Sequence, residues 1–433
     1  MKKGLVLCGG GSKGSYEMGA WTALKELNEE FNIVTGTSIG CLNGAMYAQK
    51  SYDKCLELWN KIEIGMIMES GFNFENNSIR NELKKKNDML SFFGKYVSNM
   101  GTDIKPFWNL MDKYIDEDRM LNSDITFGIC CAKFPSMKGF EVVVNKDMDR
   151  SLIKQYICAS ASCFPIFPVC KIGKDSYVDG GYYDNLPINF AINLGATDLV
   201  VIDLSPNITH PEYLRKPFVR YIHPTRSLGS FMHFDRSIID KNMTIGYNDT
   251  MKSFNKFLGY RYTFNLAHKE YNTRSFLMDI TKKIAYIGQN KLKTLVKPEA
   301  NGDIFNLLEM YTDYKRLDDF DYFLRALEIS AEIYDIDYVK VYNIDEFICL
   351  VLDKILEVND SINLLDGYSI LNANRKKDYI FKLDDKALLK YLLNRIFGKI
   401  EEDVQLETNV YLAKPTVFIA YYLFKNLFLN GEI

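Results

Sequence analysis

The chain has 433 residues, 47% of them hydrophobic and 25% charged, with a formal net charge of −3. That length holds one large domain or two, and the composition is that of an ordinary globular protein. The slightly acidic balance excludes the basic footprint of a nucleic-acid binder.

Met1-Lys2-Lys3 runs directly into Leu5-Val6-Leu7-Cys8, which reads as a buried strand. A signal peptide needs an apolar segment of about 7–15 residues and a cleavage site. Here Gly9-Gly10-Gly11-Ser12-Lys13-Gly14 begins at once, so cleavage would destroy the glycine loop. Ser15 to Glu30 then carries helical spacing through Met18, Trp21, Leu24 and Leu27. Ile33-Val34 is a second strand, and Ile39 to Gln49 reads as a helix. Between them lies Gly36-Thr37-Ser38-Ile39-Gly40, a G-x-S-x-G between strand and helix. In such a nucleophile elbow, glycines on both sides let the backbone turn sharply and present the serine hydroxyl.

The first loop has two other readings, and both fail. Gly9, Gly11 and Gly14 fit a dinucleotide fingerprint, which needs an acidic residue about 20 positions on. Thr35-Gly36-Thr37-Ser38 stands there instead. A phosphate loop places its lysine after the last glycine, whereas Lys13 precedes Gly14. Acyl transfer fits both stretches. Backbone N–H groups of the loop at a helix N-terminus can hold a developing oxyanion, and Ser38 supplies the nucleophile.

Residues 51–120 read as an inserted helical cover, with Cys55, Leu58, Trp59 and Ile62 at helical spacing. Lys84-Lys85-Lys86 beside Met89, Leu90, Phe92 and Phe93 gives the same insertion a second reading as a lid or lipid-contact region. Strands return at Ile125 to Cys131 and Phe140 to Val144, a hairpin around Pro135 to Gly139. Leu152 to Ser162 reads as a helix, Ser176-Tyr177-Val178 as a strand, Pro187 to Leu194 as a helix closed by Gly195, and Leu199 to Ile202 as a buried strand. Strands alternating with helices predict an α/β fold with a mainly parallel sheet covered on both faces. In the middle of this run stands Asp179-Gly180-Gly181, then Asp184-Asn185-Leu186-Pro187. Asp179 at a strand end is a candidate exposed base. As an isolated signal it equally suits a turn.

Taken together, a Gly-Gly-Gly-x-Lys-Gly loop, an elbow some 25 residues later and an Asp-Gly-Gly about 140 residues beyond resemble the patatin-like phospholipase family over residues 4 to 205. The resemblance implies a three-layer patatin-like fold and a lipid acyl hydrolase of phospholipase A or lysophospholipase type. It implies a Ser–Asp dyad with Ser38 as nucleophile and Asp179 as proton acceptor. The oxyanion hole falls in the loop Gly9, Gly10, Gly11, Ser12, Lys13 and Gly14, centred on Gly10 and Gly11. Gly36 and Gly40 flank the elbow, and Gly180 and Gly181 complete the aspartate motif. No cofactor or metal is called for, and no oxygen-ligand loop for calcium is evident. The partner implied is a phospholipid or other lipid ester.

Three alternatives remain open on sequence. Ser38 can serve a soluble esterase or thioesterase. The protein can be a lipase effector switched on by a ligand. Chain order also permits a histidine triad, because His210, His223, His233 and His268 all follow Asp179, with His223 best placed.

Nine cysteines with no C-x-x-C pair predict reduced core thiols, without a disulfide framework or zinc site. Aromatic content of 14% reads as a Phe- and Tyr-rich core, or as an acyl-chain pocket. No apolar run reaches the roughly 18 residues of a membrane span. The expected setting is cytoplasmic, with at most peripheral contact at the inner face of a membrane. Beyond Pro206 long helices are predicted at Phe234–Phe257, Ser275–Val296, Leu317–Tyr334, Asp345–Val358 and Lys386–Ile396. The organisation expected is a catalytic domain at 1–205, a helical extension at 206–295, and a helical C-terminal domain at 296–433, divided near Lys297-Pro298 to Gly302. The apolar segment Pro415 to Leu429 is too short to span a bilayer and reads as a packed helix or an oligomer interface, with membrane docking as the other reading.

Overall fold

The computed structural model describes residues 2–68, 104–291, 304–313, 315–359, 364–398 and 403–433. The Lys84-Lys85-Lys86 run with its phenylalanines, and the stretch from Lys297 to Gly302, lie outside these residues. The chain divides into two compact units, Met1–Phe254 and Asn255–Ile433. The division falls inside the 206–295 stretch that reads as helical in the sequence.

In the first unit the strands are β1 (Lys3–Leu7), β2 (Ile33–Thr37), β3 (Thr126–Lys133), β4 (Lys138–Val144), β5 (Cys170–Ile172), β6 (Asp175–Asp179), β7 (Asp198–Ile202) and β8 (Val219–Ile222). Its helices are α1 (Ser15–Glu26), α2 (Ile39–Ala48), α3 (Tyr52–Lys61), α4 (Lys105–Tyr114), α5 (Glu117–Leu121), α6 (Arg150–Ser160), α7 (Ile188–Asn193) and α8 (Arg236–Ser253). One mixed sheet forms, in which β8, β7, β1, β2 and β3 pair in parallel. β4 and β6 both pair antiparallel with β3, and β5 with β6. The expected mainly parallel α/β sheet between helices is thus present.

Two-residue alternation covers both faces of the sheet. Leu7, Val34 and Phe127 crowd Gly44 of α2 on one side. On the other, Gly128 and Thr35 meet Phe190 of α7, and the Thr35 hydroxyl donates to the Pro187 carbonyl at 3.1 Å.

Outside the sheet, α1 packs against α8 through two glycines. A Cβ on Gly19 would fall 1.9 Å from the Met243 carbonyl oxygen, and one on Gly246 2.0 Å from that of Tyr16. Backbone lies against backbone, so nothing flexible can yield. Gly19→Ala should therefore lower stability by about 1–3 kcal/mol through overpacking, outweighing alanine's helix-propensity gain of about 1 kcal/mol. A fall in the thermal midpoint checks this; an unchanged or raised midpoint contradicts it.

The second unit is helical. Its elements are α9 (Thr273–Lys291), α10 (Ile304–Glu309), α11 (Asp319–Ile333), α12 (Ile344–Glu357), α13 (Ala373–Lys382), α14 (Asp385–Phe397), α15 (Val404–Ala413) and α16 (Pro415–Leu429). A two-stranded parallel pair, β9 (Thr263–Phe264) and β10 (Val341–Tyr342), accompanies them. Polar caps start several helices: Asp318 and Asp321 form a reciprocal capping box on α11, and Asn343 and Asp384 accept N–H bonds at the starts of α12 and α14. The apolar run Pro415–Leu429 is α16, buried from Val417 through Phe424 within its own unit's core. Hydrophobic burial there accounts for most of its apolar composition. Among the described residues no helix is long and apolar enough to cross a membrane.

Candidate active site

The pairing register explains how residues 141 positions apart in sequence meet. Cys130 of β3 pairs with Thr37 of β2 on one edge and with Glu141 of β4 on the other. Cys131 pairs with Asp179 of β6 and with Phe140 of β4. β2 and β6 therefore share one edge of β3, running toward each other. They end at adjacent positions, so the residue after Thr37 faces the last residue of β6. Ser38 and Asp179 occupy those two tips.

Ser38 has φ 54° and ψ −121°, a conformation an L-residue rarely adopts. The motif's glycines make the turn possible. A Cβ on Gly36 would fall 2.3 Å from the Gly40 carbonyl oxygen, and one on Gly40 2.6 Å from the Leu7 carbonyl carbon and oxygen. The Ser38 N–H donates to Ser160 Oγ at 2.9 Å, and the Ser160 hydroxyl donates to the Cys130 carbonyl at 2.7 Å. Ser160 is fully buried and bridges the elbow to β3.

Asp179 is 6% exposed. Its carboxylate accepts the Gly181 N–H at 2.7 Å, and its own N–H donates to the Ser162 carbonyl at 2.9 Å. Burial pushes its carboxyl up to about 6, while the Gly181 N–H bonded to the carboxylate and the nearby Ser38 hydroxyl pull the other way. Gly180 has no room for a side chain, since a Cβ would lie 2.2 Å from the Cys130 carbonyl oxygen.

The glycine loop is braced from distant parts of the chain. The Gly9 N–H donates to the Asn185 carbonyl at 2.9 Å, and the Ser12 N–H to the Phe231 carbonyl at 2.8 Å. Gly11 has φ +58°, and a Cβ there would strike that same Phe231 carbonyl. Behind the loop, the Asn43 amide donates to the Gly14 carbonyl at 3.1 Å and to the buried Glu17 carboxyl at 2.7 Å. Trp59 Nε1 donates back to Asn43 Oδ1 at 2.9 Å.

Six of the residues singled out by sequence line one cavity of about 340 Å³: Gly9, Gly10, Gly11, Ser38, Asp179 and Gly181. Ile39, Leu42, Ile67, Phe107, Phe167, Phe231, Met232 and Phe234 supply its apolar wall. Ser12, Lys13, Gly14, Gly36, Gly40 and Gly180 are not part of this wall and shape the backbone around it. Within the loop, the Gly9, Ser12 and Lys13 N–H groups are bonded to carbonyls, whereas those of Gly10 and Gly11 donate to no acceptor among the described residues.

No histidine is among the described residues lining the cavity. His223 Nδ1 lies 3.2 Å from the Pro224 carbonyl after β8, and His210 Nε2 is 3.9 Å from Asp184 rather than Asp179. Sequence reading missed Ser160, the brace from Phe231 and any role for Asn185. The first is an unremarked serine near a helix end, and the second acts through a backbone carbonyl that any residue could supply.

Residues 5–192 match the family model described as patatin-like phospholipase. The patatin-like phospholipase domain-containing protein ZK370.4 of Caenorhabditis elegans is 26% identical over 219 residues, covering 46% of this chain and 13% of that protein. Lysophospholipase NTE1 of Candida albicans is 25% identical over 209 residues, with the same coverage of 46% and 13%. The chain thus spans about an eighth of the length of these relatives. Among solved structures, VipD from Legionella pneumophila aligns over 96% of this chain and 91% of its own, at a TM-score of 0.41 and 14% identity, a likeness too low to argue from. Residues 5–192 are a domain of the patatin-like phospholipase family.

Proposed function

We propose that the protein is a lipid acyl hydrolase, of phospholipase A or lysophospholipase type, with Ser38 as nucleophile and Asp179 as its proton acceptor. The observation that carries this reading is the meeting of a strained serine and a buried aspartate of raised pKa in one apolar cavity. The family match and the lysophospholipase name of one relative support it.

In the proposed reaction Asp179 takes the Ser38 hydroxyl proton as Oγ attacks the ester carbonyl. A base with a pKa near 6 is largely ionised at neutral pH and accepts a proton more readily than an ordinary carboxylate. The oxyanion that forms receives the open N–H groups of Gly10 and Gly11. The alcohol or lysolipid leaves with the proton from Asp179, and an acyl ester remains on Ser38. Water gives a proton to the same carboxylate as its oxygen attacks the acyl carbonyl, and Asp179 returns that proton to Ser38 Oγ as the acyl–Oγ bond breaks and the fatty acid leaves. Every step is carried by the chain's own groups. Peripheral contact with a lipid surface is part of the proposal, since the substrate resides there.

Ser160 holds the elbow by accepting the Ser38 N–H. Ser160→Ala should lower kcat by about 10-fold to 10²-fold, the scale of a nucleophile displaced by a fraction of an ångström. KM should move little, because Ser160 does not line the cavity. Steady-state kinetics on a p-nitrophenyl ester reads this; an unchanged kcat would mean the elbow holds itself.

Chain-length dependence tests the lipid reading against the soluble-esterase one. Acyl esters of increasing length, from acetyl to palmitoyl, are presented in mixed micelles. The apolar wall predicts that kcat/KM rises with chain length, each buried methylene contributing about 0.8 kcal/mol at most. A flat or falling series favours the esterase. Silence on every ester, relieved by an added small molecule or protein, favours the triggered effector.

A further inference from the structure

We infer that Asn185 is a positioning residue that sets the direction of the oxyanion-binding N–H groups. This inference rests on the hydrolase reading above and adds a part to that same site.

Asn185 and Gly9 are bonded twice. The Gly9 N–H donates to the Asn185 main-chain carbonyl at 2.9 Å, and Asn185 Nδ2 donates to the Gly9 carbonyl at 3.0 Å. The amide comes close to the Gly9 Cα, where a Cβ would lie 2.3 Å from Asn185 Oδ1. Only glycine at position 9 admits that approach. The same Oδ1 lies 2.9 Å from where a Cβ of Gly181 would stand. One side chain thus fits between the glycine loop and the Asp179 corner.

The consequence follows from the planarity of the peptide. The Gly9–Gly10 bond is trans, so its C=O and N–H point in opposite directions. Nδ2 fixes the Gly9 carbonyl, and the Gly10 N–H is thereby turned away from Asn185, with no acceptor among the described residues, at the cavity wall. Without the Nδ2 donor the peptide is free to flip. A flipped peptide would present a carbonyl oxygen where the reaction needs a donor. The next peptide is held likewise: the Gly10 carbonyl accepts the Lys13 N–H at 3.3 Å, which leaves the Gly11 N–H facing the other way. Asn185 therefore acts on the oxyanion through Gly9.

The test uses the full chain and a p-nitrophenyl alkylphosphonate. Ser38 Oγ bonds to phosphorus, p-nitrophenolate leaves, and the hydroxyl proton passes to Asp179. The burst amplitude counts folded sites and the burst rate constant reports transition-state stabilisation, so the two are separable. Asn185→Asp, which replaces the donor by an acceptor of the same size, and Asn185→Ala are compared with wild type and Ser38→Ala. We expect the rate constant to fall about 10²-fold in both Asn185 variants, the scale of losing one oxyanion donor, with the amplitude kept. In parallel, the wild-type preference for an oxo ester over its thiono analogue, whose sulfur accepts hydrogen bonds poorly, should collapse. Rate constants within threefold of wild type, or a loss confined to amplitude, overturn the inference. No burst in wild type, or an equal burst in Ser38→Ala, instead sinks the underlying hydrolase reading.

Discussion

Replacing Ser38 by alanine is expected to abolish ester hydrolysis, with kcat falling about 10⁴-fold or more. The variant lacks the only atom that forms the acyl bond in the proposed reaction, and what remains is binding and the N–H groups of the loop. The fold should not suffer. Ser38 Oγ is not among the groups that hold the elbow; its N–H is, through Ser160, and alanine keeps that N–H. Ser38→Gly carries the argument further. At φ 54° and ψ −121° a side chain costs on the order of 1 kcal/mol or more, which glycine does not incur. The glycine variant should therefore be equally inactive and yet melt at a higher temperature than wild type. That pairing of lost activity with gained stability is what strain stored at a reactive residue predicts. A glycine variant that melts lower would show the elbow to be unstrained.

Asp179→Asn gives the second large effect, and it has two readouts. The first is activity, which should fall about 10³-fold or more, because an amide cannot take the serine proton. In the proposed reaction the wild-type carboxyl must be ionised to act. With its pKa near 6, the kcat/KM profile should rise with pH and level off above about 7, and its acidic limb should vanish in the variant. The second readout is stability. The folded carboxyl titrates near 6 against an ordinary 3.8, because burial disfavours its charge. The folded state therefore holds the proton more tightly than the unfolded chain. The stability this contributes is present below pH 3.8 and is lost as pH rises through 6. The amide does not titrate. Between pH 4 and pH 7 wild type should lose up to about 3 kcal/mol relative to Asp179→Asn. Chemical unfolding at the two pH values measures the difference. A stability gap that does not change with pH would mean that Asp179 is not held in a desolvated site.

The sequence carried much of this site because the constraints on it are local. Gly36 and Gly40 are glycines because backbone atoms occupy the space a Cβ would take, and such positions show as a motif in a single chain. Asp179 was ambiguous by itself, a turn residue or a base; only the pairing of β2 and β6 along β3 brings it to Ser38. The long elements β1, β3 and α16 were legible from apolar runs and their lengths. The three-residue strand β5 and the two-residue pair β9 and β10 are too short to show alternation. Helix α13, with Arg375, Lys376 and Lys377 and an exposed Phe381, has little apolar stripe to read. Ser160, Asn185 and the Phe231 carbonyl lay beyond reach for another reason. They act on the site through one or two hydrogen bonds each from segments far away in sequence, and such bonds leave no pattern in spacing or hydropathy.

The most direct test of the central claim is fatty-acid release at pH 8 from a diacyl phospholipid and a lysophospholipid in mixed micelles. Wild type is compared with Ser38→Ala under identical conditions, with released acid measured by mass spectrometry. The proposed function predicts release by wild type from at least one of the two lipids and none above the blank by the variant. Equal release by Ser38→Ala, or none from wild type on either lipid, would contradict it.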